Sequence, residues 1–419
     1  MQTIRDTAEL DAKIEECDRA GAVSDDALRA VFGTFRMDPP ASLPADPFGA
    51  EYRDFQLGLY REVAGRPYST DNEETPFDVE AAVLRPFPFT TGSCPTAGEH
   101  FMALGFLLRA MALPPNSRVL EFGPGWGNTT VMLAKLGHRV TAVDIEPRFC
   151  ELIRRRAERE GVEVEVVNAD FLWAEEAGAR FDAALFFECF HHCADHLRLL
   201  RALRGALAPG GRVFFGAEPI SPAFPMPWGL RLDGISLWSI RKHGWLELGF
   251  RDDYFQEALA RTGWFGRKHA CADPPWLAVW EAGRREETVF RFGADKPPVH
   301  TQVGQRRGGV IEFLGQEGTG AFGPYIALPR GRYVARLRFR AGWACGGSAV
   351  LDVCADVGNT RLASRPFDGA GLAAAEMAVE LPFEAATDLS SVEVRLFCRP
   401  GFTGALEAVE IAPGDAAGG

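Results

Sequence analysis

One short stretch limits the fold of this chain more than any other. Residues 119–130 read Val-Leu-Glu-Phe-Gly-Pro-Gly-Trp-Gly-Asn-Thr-Thr. Glu121 closes an apolar run, and Gly123, Gly125 and Gly127 follow at alternate positions. A helical pattern then runs from Thr129 to Leu136. The order is strand, tight turn, helix start. Glycine is needed where the backbone turns sharply or where a ligand must approach the main chain. The helix start presents unpaired N–H groups to a polar ligand. A nucleotide-like cofactor is therefore expected across this turn.

The dinucleotide fingerprint G-x-G-x-x-G would place its third glycine at position 128, which is Asn128. That disfavours a nicotinamide-dependent oxidoreductase. A second acid, Asp144, ends the next apolar run in Val-Thr-Ala-Val-Asp-Ile-Glu, with Ile145 beside it. In a doubly wound sheet that position faces a ribose, and a carboxylate accepts from its hydroxyls. A strand is expected over 162–167, followed by Asn168-Ala169-Asp170-Phe171. Another is expected over 181–187, running into Glu188-Cys189-Phe190-His191-His192. A helix over 194–206 leads to Leu207-Ala208-Pro209-Gly210-Gly211 and a strand over 212–216, just before Glu218.

This series, from about Ser93 to Ala282, resembles the class I S-adenosylmethionine-dependent methyltransferases. The acid-G-x-G-x-G spacing, the Leu-x-Pro-Gly-Gly turn and a His just past the fourth strand carry the resemblance. It implies a Rossmann-like, doubly wound, mostly parallel sheet, which candidate strands over 265–271 and 276–282 would complete with one reversed edge strand. It implies S-adenosylmethionine as cofactor. By the same resemblance, Glu121, Gly123, Gly125 and Gly127 hold the methionine part. Asp144, beside Ile145, holds the ribose, and Asp170 and Phe171 flank the adenine.

Composition narrows the rest. The chain has 419 residues, 47% of them hydrophobic, and a formal net charge of -12. Such a surface repels a polyanion, so nucleic acid is not an expected partner. No run is long and apolar enough for a transmembrane span, and Met1–Asp6 lacks the apolar stretch of a signal peptide. The nine cysteines are scattered, with no C-x-x-C pair. Free thiols and a cytoplasmic location are expected. Cys189, His191, His192 and Cys193 lie close in sequence, but they straddle a strand end and a helix start. No second ligand cluster accompanies them, so no metal site is expected.

Four parts are expected along the chain. Residues 1–92 carry helices over 6–19 and 25–32, then an irregular stretch over 41–92; residues 50–100 are either a lid that carries part of the acceptor pocket or an extension that covers one sheet edge. Residues 93–284 form the methyltransferase-like domain. Its insertion between Glu218 and Thr262 holds Trp228, Trp238, Trp245, Tyr254 and Phe255, either to stack on a flat acceptor or to fill core. Residues 285–413 show short alternating runs between turns, which point to an all-β sandwich. The stretch Gly323–Tyr333 resembles a jelly-roll carbohydrate-binding module. Residues 414–419 are an expected disordered tail.

Methyl transfer to a sugar or glycan hydroxyl is the expected chemistry, because an appended binding module concentrates a tethered acceptor. A small natural-product or lipid acceptor is the alternative, and an inactive glycan-binding protein is another. The sandwich could equally serve a homodimer. A hydroxyl acceptor calls for a general base. His192 is the first candidate and His191 the second, with Glu188 and Glu218 as acids at neighbouring strand ends.

Overall fold

The computed structural model describes residues 1–178, 180–272, 274 and 277–414. Of the expected tail, residues 415–419 lie outside that range. The chain divides into two compact units, Met1–Arg284 and Arg285–Gly419.

The first unit is built on seven strands: β1 (Arg118–Phe122), β2 (Arg139–Asp144), β3 (Val164–Asn168), β4 (Phe181–Phe187), β5 (Leu207–Gly216), β6 (Trp264–Ala270) and β7 (Ala278–Arg284). Their order across the sheet is β6-β7-β5-β4-β1-β2-β3. The five strands from β3 to β5 run parallel. Helices Asn128–Lys135, Pro147–Glu160 and His196–Ala206 make crossovers. β1 and β4 are nearly continuous apolar runs because a parallel sheet is covered on both faces. The reversed strand is β7, antiparallel to both β5 and β6. It lies one strand in from the edge, not at the edge as expected, because the β6–β7 hairpin folds back between β5 and β6.

The strand order reverses between β1 and β4, so the carboxyl ends of these two strands bound a crevice. Beneath it, Phe122, Phe186 and Phe215 stack from three adjacent strands, with ring centroids 5.0 and 5.4 Å apart and interplanar angles of 9° and 8°. Each such pair adds about 0.5–1.5 kcal/mol beyond burial. The floor of the crevice is therefore stiff.

Residues 41–92 are not irregular throughout. Ala50–Ala64 is a helix that buries Tyr52, Gln56, Tyr60 and Val63 along one stripe. Tyr52 Oη donates to the Trp228 carbonyl at 2.9 Å, and Tyr60 Oη to the Gly244 carbonyl at 2.5 Å. The inserted segment pairs Trp228–Leu230 with Leu248–Phe250 and adds helix Asp252–Arg261. Of its aromatics, Trp228, Tyr254 and Phe255 are core.

The second unit holds two antiparallel sheets. Strand Gly331–Phe339 alternates buried and partly exposed positions. Phe339 and Phe367, from different sheets, meet each other and Phe402, forming the interior of a β-sandwich. Strands Gln305–Arg307, Gly318–Ala321 and Thr360–Asp368 were not expected from sequence. Among the described residues, no helix is long and apolar enough to cross a membrane.

Candidate active site

The glycine turn rests on the sheet through the Gly123 N–H, which donates to the Val143 carbonyl at 2.9 Å. Gly123 has φ +54, and a Cβ there would meet Cys189 Cβ at 2.7 Å, so the turn can pack against β4's end only as glycine. Gly125 has φ +52, yet a Cβ there would meet nothing within 4 Å. Its missing side chain leaves space on the crevice side. Gly127 caps helix Asn128–Lys135.

Asp144 ties the turn to the end of β2. Its Oδ2 accepts from the Gly125 N–H at 3.0 Å and its Oδ1 from the Glu146 N–H at 2.9 Å. Burial pushes this carboxyl up to about 6. Glu121 lies one layer below. Its Oε2 accepts from Thr130 Oγ1 at 2.7 Å, while Oε1 is buried without a partner. Burial raises Glu121 to about 7. Asp170 caps the short helix Phe171–Glu175 by accepting from the Leu172 N–H. Phe171 sets its edge against Phe122 and Phe186.

On the far side, β4 and β5 end in two non-glycine residues with positive φ, Glu188 at +53 and Ala217 at +54. The turn after Glu188 is gathered on Glu218. Its Oε1 accepts from the Cys189 and Phe190 N–H groups at 2.9 Å each, and its Oε2 lies 3.2 Å from the His191 nitrogen and 2.8 Å from His191 Nδ1. Burial lowers both histidines to about 4, so their rings are neutral at pH 7. Glu188 faces the crevice, and desolvation there, followed by the Glu218 charge, raises its carboxyl to about 7. His192 Nδ1 stands 3.5 Å from Glu73 Oε2.

These groups surround one cavity of about 360 Å³, within the roughly 300–1,000 Å³ range of small-molecule sites. Gly123, Gly125, Asp144, Ile145, Asp170, Phe171, Glu188 and His192 line it, whereas Glu121, Gly127, His191 and Glu218 stand behind its wall. Trp245, one of the aromatics offered for stacking on an acceptor, also lines it, as do Glu73, His100 and Glu146, which sequence reasoning did not single out. Glu146 had a legible signal, an acid directly before Pro147 that caps helix Pro147–Glu160. Its other oxygen accepts from the Thr75 N–H at 2.8 Å. Glu73 reaches the cavity from the N-terminal segment, where its Oε1 accepts from the Leu246 N–H at 3.0 Å. No local pattern marks Glu73.

Residues 119–211 match a family model described as a methyltransferase domain. That match covers the glycine turn, Asp144 and the β4 end described above. Residues 119–211 form a methyltransferase domain. S-adenosylmethionine is the cofactor of this domain type, and the opening at Gly125 with Asp144 on the cavity wall fits a polar, nucleoside-bearing ligand. The methyltransferase domain is similar to ubiquinone biosynthesis O-methyltransferases of Xanthomonas. Identity is 36% to the protein of X. axonopodis pv. citri, over 26% of this chain and 46% of that protein. It is 34% to that of X. campestris pv. campestris strain B100, over 29% of this chain and 50% of that protein. The chain thus spans about half the length of these curated relatives. A solved S-adenosylmethionine-dependent methyltransferase of Mesorhizobium loti aligns over 43% of this chain and 98% of its own, with 22% identity and a TM-score of 0.34. A score that low bears on neither fold nor function.

Proposed function

We propose that this protein transfers the methyl group of S-adenosylmethionine to a hydroxyl oxygen of a small acceptor. The observation that carries the reading is a single cavity. It has the glycine turn and Asp144 at one end and Glu73, Glu188 and His192 at the other. S-adenosylmethionine supplies a methyl carbon already activated by its sulfonium. What the chain must add is alignment and removal of the hydroxyl proton.

On this reading Gly125 leaves room for the cofactor, Asp144 receives the ribose hydroxyls, and Asp170 and Phe171 bracket the adenine. Glu121 acts from behind, through the turn. A positioned proton acceptor is worth about 10²–10⁴-fold in rate. His192, Glu73 and Glu188 are the groups within the cavity that can take the proton. His191 and Glu218 stand behind the wall and are positioning residues. The 68–75 segment, carrying Tyr68, Thr70, Glu73 and Thr75 on the cavity wall, acts as a fixed cover.

The curated relatives are named for O-methylation in ubiquinone biosynthesis, which favours a small hydroxylated acceptor. A sugar or glycan acceptor has only the appended sandwich in its favour. Calorimetry with S-adenosylmethionine and with NAD tests the cofactor. A methyl-labelled donor offered to phenols, quinols, sugars and oligosaccharides tests the acceptor. Label on a phenol or quinol supports the reading, and label confined to oligosaccharides restores the glycan alternative. Donor binding without transfer to any hydroxyl overturns it.

A further inference from the structure

Four carboxylates crowd the histidine end of the cavity: Glu73, Glu188, Glu218 and Glu247. Among the described residues one guanidinium contacts them, Arg231 Nη1 at 3.3 Å from Glu247 Oε2. Buried carboxylates call for paired cations or for a metal.

The two histidines are set as ligands would be. His191 Nδ1 lies 2.8 Å from Glu218 Oε2, and in the tautomer that donates from Nδ1 to this carboxylate the Nε2 lone pair faces Glu247 Oε2 at 3.6 Å. Two acceptors therefore point at each other. An outer carboxylate that holds the far nitrogen is the usual support of a metal-ligating imidazole. Glu218 is itself fixed by the backbone of Cys189 and Phe190. His192 Nδ1 is buried and has no hydrogen-bond partner. One ligand atom each from His191, His192 and Glu247 lies within 4.8 Å of the others.

We propose that His191, His192 and Glu247 bind one divalent transition-metal ion, with its open coordination positions toward the cavity that His192 lines. Two imidazoles and a carboxylate suit Zn²⁺, Mn²⁺, Fe²⁺ or Co²⁺, whereas Mg²⁺ and Ca²⁺ prefer all-oxygen sites. Bonds of about 2.0–2.2 Å place tetrahedral ligand atoms roughly 3.3–3.6 Å apart, so the three side chains need to close only modestly. The sequence expectation of no metal considers only the residues at 189–193 and leaves out Glu247. Glu247 replaces the two thiols, of which Cys189 Sγ is turned to the Phe122 carbonyl at 3.0 Å.

The use of this ion rests on the hydroxyl-methylation reading; its binding does not. In that use the ion holds the acceptor oxygen. The acceptor O–H bond breaks and its proton passes to the Glu73 carboxylate. A C–O bond forms to the methyl carbon of S-adenosylmethionine. The methyl–sulfur bond breaks, and its electron pair stays on sulfur. His192 is then a ligand, and Glu73 is the proton acceptor.

The test uses the full chain, stripped with a chelator and titrated with Co²⁺ and Zn²⁺ by visible absorption and equilibrium dialysis. One equivalent per chain is expected. His191→Asn and Glu247→Gln should each weaken Co²⁺ binding at least tenfold, and Glu218→Gln by about 10–100-fold. Saturation at one equivalent with those losses supports the site. Absence of stoichiometric binding, or binding untouched by both ligand variants, overturns it and leaves an Arg231–Glu247 ion network. If the variants fail to fold, Zn²⁺ protection of wild-type His191 and His192 from diethyl pyrocarbonate decides the same question. S-adenosylmethionine affinity is measured in parallel. Metal binding without cofactor binding sinks the methyltransferase reading alone. Equal turnover with and without metal sinks the catalytic use of the ion.

Discussion

At Gly125 the crevice depends on an atom that is not there. Gly125→Val fills the opening and forces a left-handed backbone on a branched residue, a strain of roughly 1–2 kcal/mol. S-adenosylmethionine affinity should fall by about 10² or more in calorimetry while the fold persists, because a Cβ at this position meets no neighbour within 4 Å. Unchanged affinity would remove the cofactor from the turn. Titration gives a second prediction. Burial raises Glu121 from 4.5 to about 7 and Asp144 from 3.8 to about 6. The folded state thus holds protons that the unfolded state has already released. Their stabilising contribution is complete below the unfolded values and is lost as pH rises through about 6 to 7. Glu121→Gln should flatten the fall of melting temperature between pH 5 and 8, each about a unit beyond that window. A wild-type slope in that variant would show that Glu121 is ionised throughout. Which single residues were legible follows from their position in the chain. Gly123, Gly125, Asp144, Asp170 and Phe171 sit at strand ends, a position their spacing marks, and line the cavity. Glu121 and Glu218 share that spacing but turn behind the wall, where Thr130 and the 189–191 turn claim their oxygens. Spacing gives the strand end; it does not give the direction of a side chain that the backbone can capture.

Among elements, the cover over the cavity hangs on few bonds. Segment 68–75 meets the methyltransferase domain through the Thr75 N–H on Glu146, through Glu73 on the Leu246 N–H and beside His192, and through Tyr68 Oη, which donates to the His192 carbonyl. Glu146→Ala removes the first and also the cap of helix Pro147–Glu160. Loss of a cap typically costs about 1 kcal/mol. Amide exchange should therefore accelerate over residues 70–78, with β1 and β4 unaffected. Uniform acceleration would mean that the segment has no separate opening. The elements that sequence reasoning missed have physical reasons. Helix Ala50–Ala64 buries tyrosines and a glutamine in place of an aliphatic stripe, and its start at Gly49 has no side-chain cap. Strand Thr360–Asp368 lies at a sheet edge, carries Pro366 and buries little. Edge strands are relieved of the alternation that makes inner ones readable. The parallel strands β1 and β4 were legible because burial on both faces keeps them apolar along nearly their whole length.

At the scale of the molecule, the first compact unit ends at Arg284. A fragment of residues 1–284 should fold and bind S-adenosylmethionine with the affinity of the full chain, and residues 285–414 should fold alone as a β protein. Circular dichroism and calorimetry on each fragment check this; a cofactor-blind 1–284 fragment would mean that the site needs the second unit. The pairing of helix Ala50–Ala64 with the inserted segment has a temporal consequence. Tyr52 and Trp228 are 176 positions apart. At about 5–20 residues per second, the ribosome needs roughly 9–35 s to deliver the partner after the helix has emerged. For that interval the nascent chain exposes Tyr52, Tyr60 and Val63 with nothing to cover them. A slow-translating host, or one short of holding chaperones, should lose more of this protein to aggregation during synthesis than its finished stability would suggest.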